Sequence, residues 1–314
     1  MSNIKTHHLA LNFQTLKTRA LTALVFVVVM LAGLLWNFWS FLILFTIIHF
    51  GCWFEYLNLV EKICSTKLDI IIKYFFAICG FVLMISLGIT QYSVDIFINL
   101  FGYAINLKWA FFLLMFFCLA AFIIQNKQIN KKAKWMSFAG FIYLSLSFGF
   151  MISLRMKGAN ISCLNGAGIT GEINISTEHF FSPFVTLPFT IIGSIWINDT
   201  MAYLVGSLIG RTHFSKASPK KTLEGTIGGI ILCVISISLI AYYTNTMAVK
   251  DAAVIAACCG IFGTAGDLVE SKLKRMADVK DSGSFMPGHG GFLDRFDSLL
   301  VATPFVWLYV KFFL

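Results

Sequence analysis

The sequence predicts an all-α, polytopic integral membrane protein with about nine transmembrane helices. Of its 314 residues, 58% are hydrophobic and 12% are charged, whereas a soluble domain carries about 25% charged residues. A bilayer-spanning helix needs about 20 mainly apolar residues. Nine segments meet this requirement: roughly 20–36, 38–56, 70–90, 109–125, 136–154, 182–208, 226–244, 252–273 and 295–313.

The lysines and arginines predict the orientation. With the amino terminus in the cytoplasm and the sides alternating, most of the 24 Lys and Arg fall in cytoplasmic segments. The sequence therefore predicts a cytoplasmic amino terminus and an external carboxyl terminus. The net charge of +9 is then a topology signal, and we expect no nucleic-acid partner. The Lys and Arg residues on the predicted outer side are Lys108, Arg155, Lys157, Lys250 and Lys311.

Acidic residues divide the chain into two parts, since more than half of the 15 Asp and Glu lie in 199–297. We expect residues 1–180 to be a membrane scaffold of about five helices with an outer loop at 156–181. Residues 181–314 should be a catalytic membrane domain of about four helices with cytoplasmic phosphate-binding loops.

The first polar feature is Asp199, inside the sixth predicted span and roughly 18 Å from Arg211 at 1.5 Å per residue. An aspartate at that depth costs on the order of 3 kcal/mol on insertion scales. It should therefore face a wet cavity, a cation or a partner group. The alternative is a buried, hydrogen-bonded aspartate, with Gly206 and Gly210 serving close helix packing.

The second feature is the run from Ser218 to Gly229 at the start of the seventh helix. Thr222 is a candidate cap, and the following glycines would let a ligand approach backbone N–H groups. A helix amino terminus beside Lys221 suits phosphate, although a basic loop that only follows the positive-inside rule explains the run equally well.

The third feature combines the end of helix eight with the start of helix nine. Helical spacing puts Asp267, Glu270 and Lys274 on one face, and Asp294 and Asp297 on one face of the next helix. We expect Asp267, Asp294 and Asp297 to converge on Mg²⁺, which prefers carboxylate and phosphate oxygens.

The loop between these helices adds groups suited to phosphate. Lys280 and Arg295 supply positive charge, and His289 could donate to phosphate or move a proton. Any one of these residues could instead form an interfacial ion pair. Together they indicate a membrane enzyme at the cytoplasmic face that uses a divalent metal and phosphate-bearing substrates, one of them a lipid.

The stretch 271–297 closely resembles the signature of the phosphatidate cytidylyltransferases, also called CDP-diacylglycerol synthases. That signature reads Ser-x-apolar-Lys-Arg, Lys-Asp, Pro-x-His-Gly-Gly and Asp-Arg-x-Asp; Met286 is a conservative departure from it. The segments 218–225 and 199–206 also look like family motifs. The signature is met by Ser271, Leu273, Lys274, Arg275, Lys280, Asp281, Gly283, Pro287, His289, Gly290, Gly291, Phe292, Asp294, Arg295, Phe296 and Asp297.

The resemblance implies transfer of a cytidylyl group from CTP to phosphatidate, with Mg²⁺, commonly a monovalent cation such as K⁺, and a homodimer. Three sets of residues follow. The metal ligands would be Asp267, Asp294 and Asp297. The catalytic residues would be Lys280, Asp281, His289 and Arg295. The substrate-binding residues would be Asp199, Ser218, Lys221, Thr222, Glu224, Lys274 and Arg275.

Two other functions remain open on the sequence alone. A CTP-dependent lipid kinase of the polyprenol type would transfer the γ-phosphoryl group instead. An ion-coupled transporter would use Asp199 and Asp267 as intramembrane sites. We expect the protein to lie in a bacterial cytoplasmic (inner) membrane with its active site facing the cytoplasm.

Overall fold

The computed structural model describes residues 13–89, 97–100, 103–106, 130–164, 183–213, 218, 221–285 and 290–314. A short π-helical turn, Phe141–Ser145, joins the helices Lys131–Gly140 and Leu146–Leu164 without a break. The helices are α1 (Phe13–Leu35), α2 (Phe38–Cys64), α3 (Ile70–Ile89), α4 (Lys131–Gly140), α5 (Leu146–Leu164), α6 (Pro183–Ile209), α7 (Leu223–Thr244), α8 (Val249–Met276) and α9 (Leu293–Phe313).

The described residues confirm a helical integral membrane protein. Six of their helical segments are long and apolar enough to cross a bilayer. One short antiparallel hairpin was not predicted: β1 (Phe97–Leu100) pairs with β2 (Tyr103–Asn106). The predicted span 109–125 lies outside the described residues, so the count of nine and the orientation stay predictions. The six segments are Phe38–Cys64, Ile70–Gly88, Lys131–Met156, Leu223–Thr244, Val249–Met276 and Leu293–Phe313.

Local sequence signals fix where the helices begin. Asn37 and Ser40 form a capping box at α2: the Ser40 N–H donates to Asn37 Oδ1 at 2.7 Å, and the Asn37 N–H donates to Ser40 Oγ at 3.0 Å. Thr222 caps α7, accepting from the Gly225 N–H at 3.2 Å. The predicted cap at Thr222 is therefore confirmed. Such caps satisfy N–H groups that have no partner within the helix.

The bundle has a core of aromatic and aliphatic side chains, including fully buried Phe41, Phe45 and Trp53. Many apolar side chains are nevertheless exposed, among them Ile71 and Leu208. In a soluble protein such a surface would favour aggregation, but in a bilayer it contacts lipid. The core includes residues on both sides of the predicted boundary at 180, and the two-domain division stays a prediction.

Glycines bring α6 and α7 into close contact. A Cβ atom at Gly225 would lie 2.7 Å from the Ala202 carbonyl oxygen and 2.8 Å from the Gly206 Cα. One at Gly229 would also meet the backbone of Ala202, at 2.9 Å. These glycines therefore pack against α6, and the approach of a ligand to the helix start stays a prediction.

The π-helical turn places two serines against different neighbours. Ser145, within the turn, lies 3.0 Å from His49 Nε2 and accepts from Trp53 Nε1 at 2.9 Å, both on α2. Ser147 begins the next turn and donates to the Leu300 carbonyl of α9 at 2.5 Å. The joint between α4 and α5 thus connects α2 to the helix that carries Asp294 and Asp297.

Candidate active site

A polar cavity of about 420 Å³ lies between α6, α7 and α8. It brings together residues from the first two polar features and the start of the third. The predicted site residues that line it are Asp199, Ser218, Lys221, Thr222 and Asp267; the other lining residues are Asn198, Ala202, Tyr203, Gly206, Ser207, Thr226 and Thr264.

An ion pair joins the basic loop to the acidic face of α8. The Lys221 ammonium contacts Asp267 Oδ2, while Asp267 Oδ1 accepts from the Ser271 hydroxyl at 3.2 Å. Lys221 directly precedes Thr222, the cap of α7, so the start of the helix fixes its position. Hence the lysine at the helix start faces the acids, as a phosphate-binding lysine beside a metal site would.

Three carboxylates converge next to this cavity: Asp267 and Glu270 from α8 and Asp297 from α9. One oxygen from each lies within 4.8 Å of the other two. Asp267 belongs to both the cluster and the cavity wall, so the two form one site. The predicted convergence of Asp267 with Asp297 is therefore seen, with Glu270 as the third member.

Asp294, the remaining predicted metal ligand, has other partners. Its Oδ1 accepts from Lys274 Nζ at 2.6 Å. Its Oδ2 accepts from the Gly291 N–H at 2.7 Å and from the Ser282 N–H at 2.9 Å. In this arrangement Asp294 holds the loop before α9, because both N–H groups that it accepts from belong to that loop.

Lys274 is a counter-ion between two acids. Its ammonium lies 2.5 Å from Glu270 Oε2 and 2.6 Å from Asp294 Oδ1. Only 16% of its side chain is exposed, so both of these contacts are largely shielded from water. The structure thus gives Lys274 an internal role where the sequence predicted contact with substrate.

The cluster has more negative than positive charge. Glu270 is fully buried, and its Oε2 contacts the Lys274 ammonium, which Asp294 shares. Asp297 is also buried and accepts from the Ser298 N–H at 2.6 Å. Burying uncompensated carboxylates costs several kcal/mol per ion. This donor set, all carboxylate oxygen, fits a hard divalent cation such as Mg²⁺.

Glu224 has a structural role in the loop before α7. Its carboxylate accepts from the Arg211 and Thr212 N–H groups at 3.1 Å and from the Thr212 hydroxyl at 2.7 Å. The Leu223 N–H also donates to the Thr212 carbonyl at 2.9 Å. Glu224 therefore links the end of α6 to the start of α7. The sequence analysis predicts a different role for it, in substrate binding.

Four predicted residues are exposed and are not among the described residues that line the cavity: Arg275, Lys280, Asp281 and Arg295. Lys280 and Asp281 lie in the loop between α8 and α9, and the two arginines lie at the adjoining helix ends. His289 lies outside the described residues. The catalytic roles of these residues stay predictions.

Two acids in the structure were not assigned to the site from the sequence. Glu270 was placed on the correct helix face but not among the metal ligands. Glu55 of α2 was not considered, although its carboxylate accepts from the N–H groups of Phe292 and Leu293 at 2.9 and 2.8 Å. Its signal was available, because a glutamate within an otherwise apolar predicted span is rare.

A second cavity, of about 410 Å³, lies beside the loop between α8 and α9. It is apolar and is formed by α1, α2 and three phenylalanines. One of these is in the loop and two are at the start of α9. The residues that line it are Leu21, Thr22, Val25, Phe26, Val29, Met30, Leu44, Ile47, Ile48, Phe285, Phe292 and Phe296.

The fold and the site together define an integral membrane protein with an acid-lined polar cavity, one lysine at its wall and an apolar cavity nearby. The sequence profile of the cytidylyltransferase family matches residues 17–313. Because this match covers nearly the whole chain, the protein belongs to that family.

Several relatives named phosphatidate cytidylyltransferase are similar to this chain. The Arabidopsis thaliana protein "Phosphatidate cytidylyltransferase 4, chloroplastic" is 34% identical over 173 residues, 55% of this chain and 44% of its own. The Bacillus subtilis protein is 42% identical over 121 residues, 38% of this chain and 45% of its own. The Synechocystis protein is 43% identical over 117 residues, 37% and 40% respectively. The chain thus matches less than half the length of these relatives.

Proposed function

We propose that this protein transfers a cytidylyl group from CTP to phosphatidate and releases CDP-diacylglycerol and pyrophosphate. One observation carries the proposal: Lys221 and Asp267 meet where the polar cavity borders the three-carboxylate cluster. A lysine and an acid cluster side by side suit a triphosphate and the cation that accompanies it. The names of the relatives agree with this activity.

In the proposed reaction, a phosphate oxygen of the lipid attacks the α-phosphorus of CTP. A new O–P bond forms, and the bond from the α-phosphorus to the oxygen bridging to the β-phosphorus breaks. The electron pair of that bond leaves with pyrophosphate. The lipid phosphate is already largely ionised near neutral pH, so the step needs alignment and charge neutralisation more than a general base.

The chain's own residues would hold and orient the reactants. Lys221 would contact phosphate oxygens at the cavity wall, and Asp199 would meet a cation or a polar substrate group deeper in the cavity. Glu224 and Thr222 would keep the loop that presents Lys221 in place. The apolar body around the site, with its lipid-facing helices, supports a lipid as the second substrate.

We propose Mg²⁺ as the cofactor, held by Asp267, Glu270 and Asp297, with a monovalent cation such as K⁺ as a second ion. When bound, a divalent ion neutralises charge that develops on the transferring phosphate. The charge balance supports this assignment, because among the described residues only two ammonium groups, those of Lys221 and Lys274, face four largely buried acids. Uncompensated buried carboxylates need a cation.

The topology forms part of the proposal. Nine spans with a cytoplasmic amino terminus, an external carboxyl terminus and a site open to the cytoplasm agree with the distribution of Lys and Arg. We propose a bacterial cytoplasmic membrane as the location and a homodimer as the assembly.

A double-label assay tests the function. The protein in detergent micelles is given phosphatidate together with a polyprenol, Mg²⁺ and CTP labelled either in the cytosine or at the γ-phosphate. We expect the base label in the lipid product and the γ-label in pyrophosphate. Label from the γ-phosphate in the lipid would instead identify a lipid kinase, and no lipid product with either label would rule out both enzymes.

The site assignment has a matched pair of variants. Asp267→Asn should lower turnover by roughly 10²-fold or more, the scale seen when a group that stabilises transition-state charge is removed. Asp251→Asn is the control, since Asp251 lies at the other end of α8 and accepts from the Tyr309 hydroxyl at 2.7 Å. Equal turnover in the two variants would contradict the role given to Asp267.

A further inference from the structure

Glu55 of α2 contacts the loop between α8 and α9, together with the first residue of α9, at three points. Its Oε1 accepts from the Phe292 N–H at 2.9 Å, and its Oε2 accepts from the Leu293 N–H at 2.8 Å. The Ser282 hydroxyl also lies 2.8 Å from Oε2. Glu55 is 8% exposed, so a buried carboxylate from the amino-terminal half is satisfied entirely by this loop.

These contacts supply a cap that α9 lacks. The residue at its cap position is Phe292, which makes no side-chain capping hydrogen bond. The first N–H groups of a helix need acceptors from outside the helix, and a negative charge is favourable at that end. Glu55 meets both needs from a different helix.

The glycines of the signature give the carboxylate its room. A Cβ atom at Gly283 or at Gly291 would collide with the Glu55 carboxylate. Both positions therefore depend on glycine because the loop closes around this side chain. This explains two residues of the signature by packing against α2, with no need for a direct contact to substrate.

Ser282 connects Glu55 to Asp294. The Ser282 hydroxyl lies 2.9 Å from Asp294 Oδ2, and its N–H donates to the same oxygen at 2.9 Å. Because a hydroxyl has one proton, it can donate to only one of the two acids at a time. A shift of Glu55 would thereby be passed to Asp294 and to the first turn of α9, the helix that also carries Asp297.

We propose that Glu55 is a positioning residue for the site: it fixes the first turn of α9 and, through Ser282, the orientation of Asp294. Its effect on turnover rests on the proposed function. Its effect on the loop does not, and the two can be measured separately.

The test compares Glu55→Gln with Glu61→Gln in the full chain. The Phe292 and Leu293 N–H groups are received by different oxygens of Glu55, and glutamine replaces one of these oxygens with an NH₂ donor, so the present pair of hydrogen bonds cannot be kept. Glu61 lies on the same helix and accepts from Leu68 at 2.6 Å and from Lys73 at 2.7 Å, away from the loop. Hydrogen exchange at residues 291–294 is measured first, then kcat and the Mg²⁺ concentration for half-maximal activity.

We expect faster exchange at 291–294 in Glu55→Gln only. We also expect kcat to fall and the half-maximal Mg²⁺ concentration to rise, together by about 10–100-fold, as for other residues that orient metal ligands. Ser282→Ala keeps both backbone caps and should show a smaller change of the same kind. If Glu55→Gln does not fold, Ser282→Ala decides.

Equal exchange in Glu55→Gln and Glu61→Gln would overturn the proposal. So would wild-type kcat and Mg²⁺ dependence in Ser282→Ala, because the link to Asp294 would then have no effect. If the wild-type protein forms no CDP-lipid, the proposed function fails, and the exchange measurement alone decides the role of Glu55.

Discussion

Replacing Lys274 with methionine removes the shared counter-ion of Glu270 and Asp294 while keeping most of the side-chain volume. The lysine ammonium lies 2.5 and 2.6 Å from the two carboxylates. After the substitution, Glu270 stays fully buried with no cation among the described residues within contact. Asp294 keeps its donors from Ser282 and Gly291, so the main loss falls on Glu270.

The expected magnitude follows from burial. The exposed fractions of the Glu270, Asp294 and Lys274 side chains are 0%, 9% and 16%, so water cannot replace the lost ammonium at Glu270. Removing one partner of such a buried pair costs about 3–5 kcal/mol in the free energy of unfolding. The double variant Lys274→Met with Glu270→Gln should lose much less, because no uncompensated charge remains.

Lys73→Met provides the control. Lys73 pairs with Glu61 at 2.7 Å, but 21% of the Glu61 side chain is exposed, and water can solvate the remaining acid. Its loss should cost about 1 kcal/mol or less. Each variant (Lys274→Met, the double variant and Lys73→Met) is unfolded by SDS in mixed micelles with EDTA present. Tryptophan fluorescence then gives its free energy of unfolding. A loss in Lys274→Met no larger than in Lys73→Met would refute the reasoning.

Two further predictions concern the metal cluster and the crossing of α6 with α7. Excess Mg²⁺ should stabilise the purified protein by about 2.7 kcal/mol at 100 times the dissociation constant. Asp297→Asn should abolish this stabilisation, whereas Asp251→Asn should retain it. Equal stabilisation of the two variants by Mg²⁺ would contradict a metal site at the three-carboxylate cluster. Gly225→Val should destabilise the fold by about 1–3 kcal/mol through overpacking against Ala202. Gly193→Ala should be neutral, because nothing lies within 4 Å of the Cβ position at Gly193. Equal free energies of unfolding for these two variants would argue against the close crossing of α6 and α7.

The sequence predicts the helical membrane fold because runs of apolar residues are a direct physical requirement of the bilayer. The family resemblance also implies that Asp199, Lys221 and Asp267 serve one site, since it assigns all three to substrate or metal binding. The hairpin at 97–106 was missed because residues 91–108 were interpreted only as a connection between spans.

The sequence does not predict which acid lies in the metal cluster and which one pairs with Lys274. Helical spacing puts Asp294 and Asp297 on the same face of α9, but it does not say which of them lies deep against α8 and which receives Lys274. Contacts such as Glu55 with Phe292, separated by 237 positions in the chain, depend on how the helices pack. A single sequence gives no distance between α2 and α9, so the role of Glu55 emerges only from the structure.

The π-helical turn at Phe141–Ser145 makes chain length itself a determinant of geometry. Each residue in an α-helix turns the chain by about 100°, and a π-helical turn accommodates an extra residue. Deleting one residue there would therefore leave a regular α-helix with α5 at the same azimuth. Adding another would swing every later side chain of α5 by about that angle and carry Ser147 away from the Leu300 carbonyl.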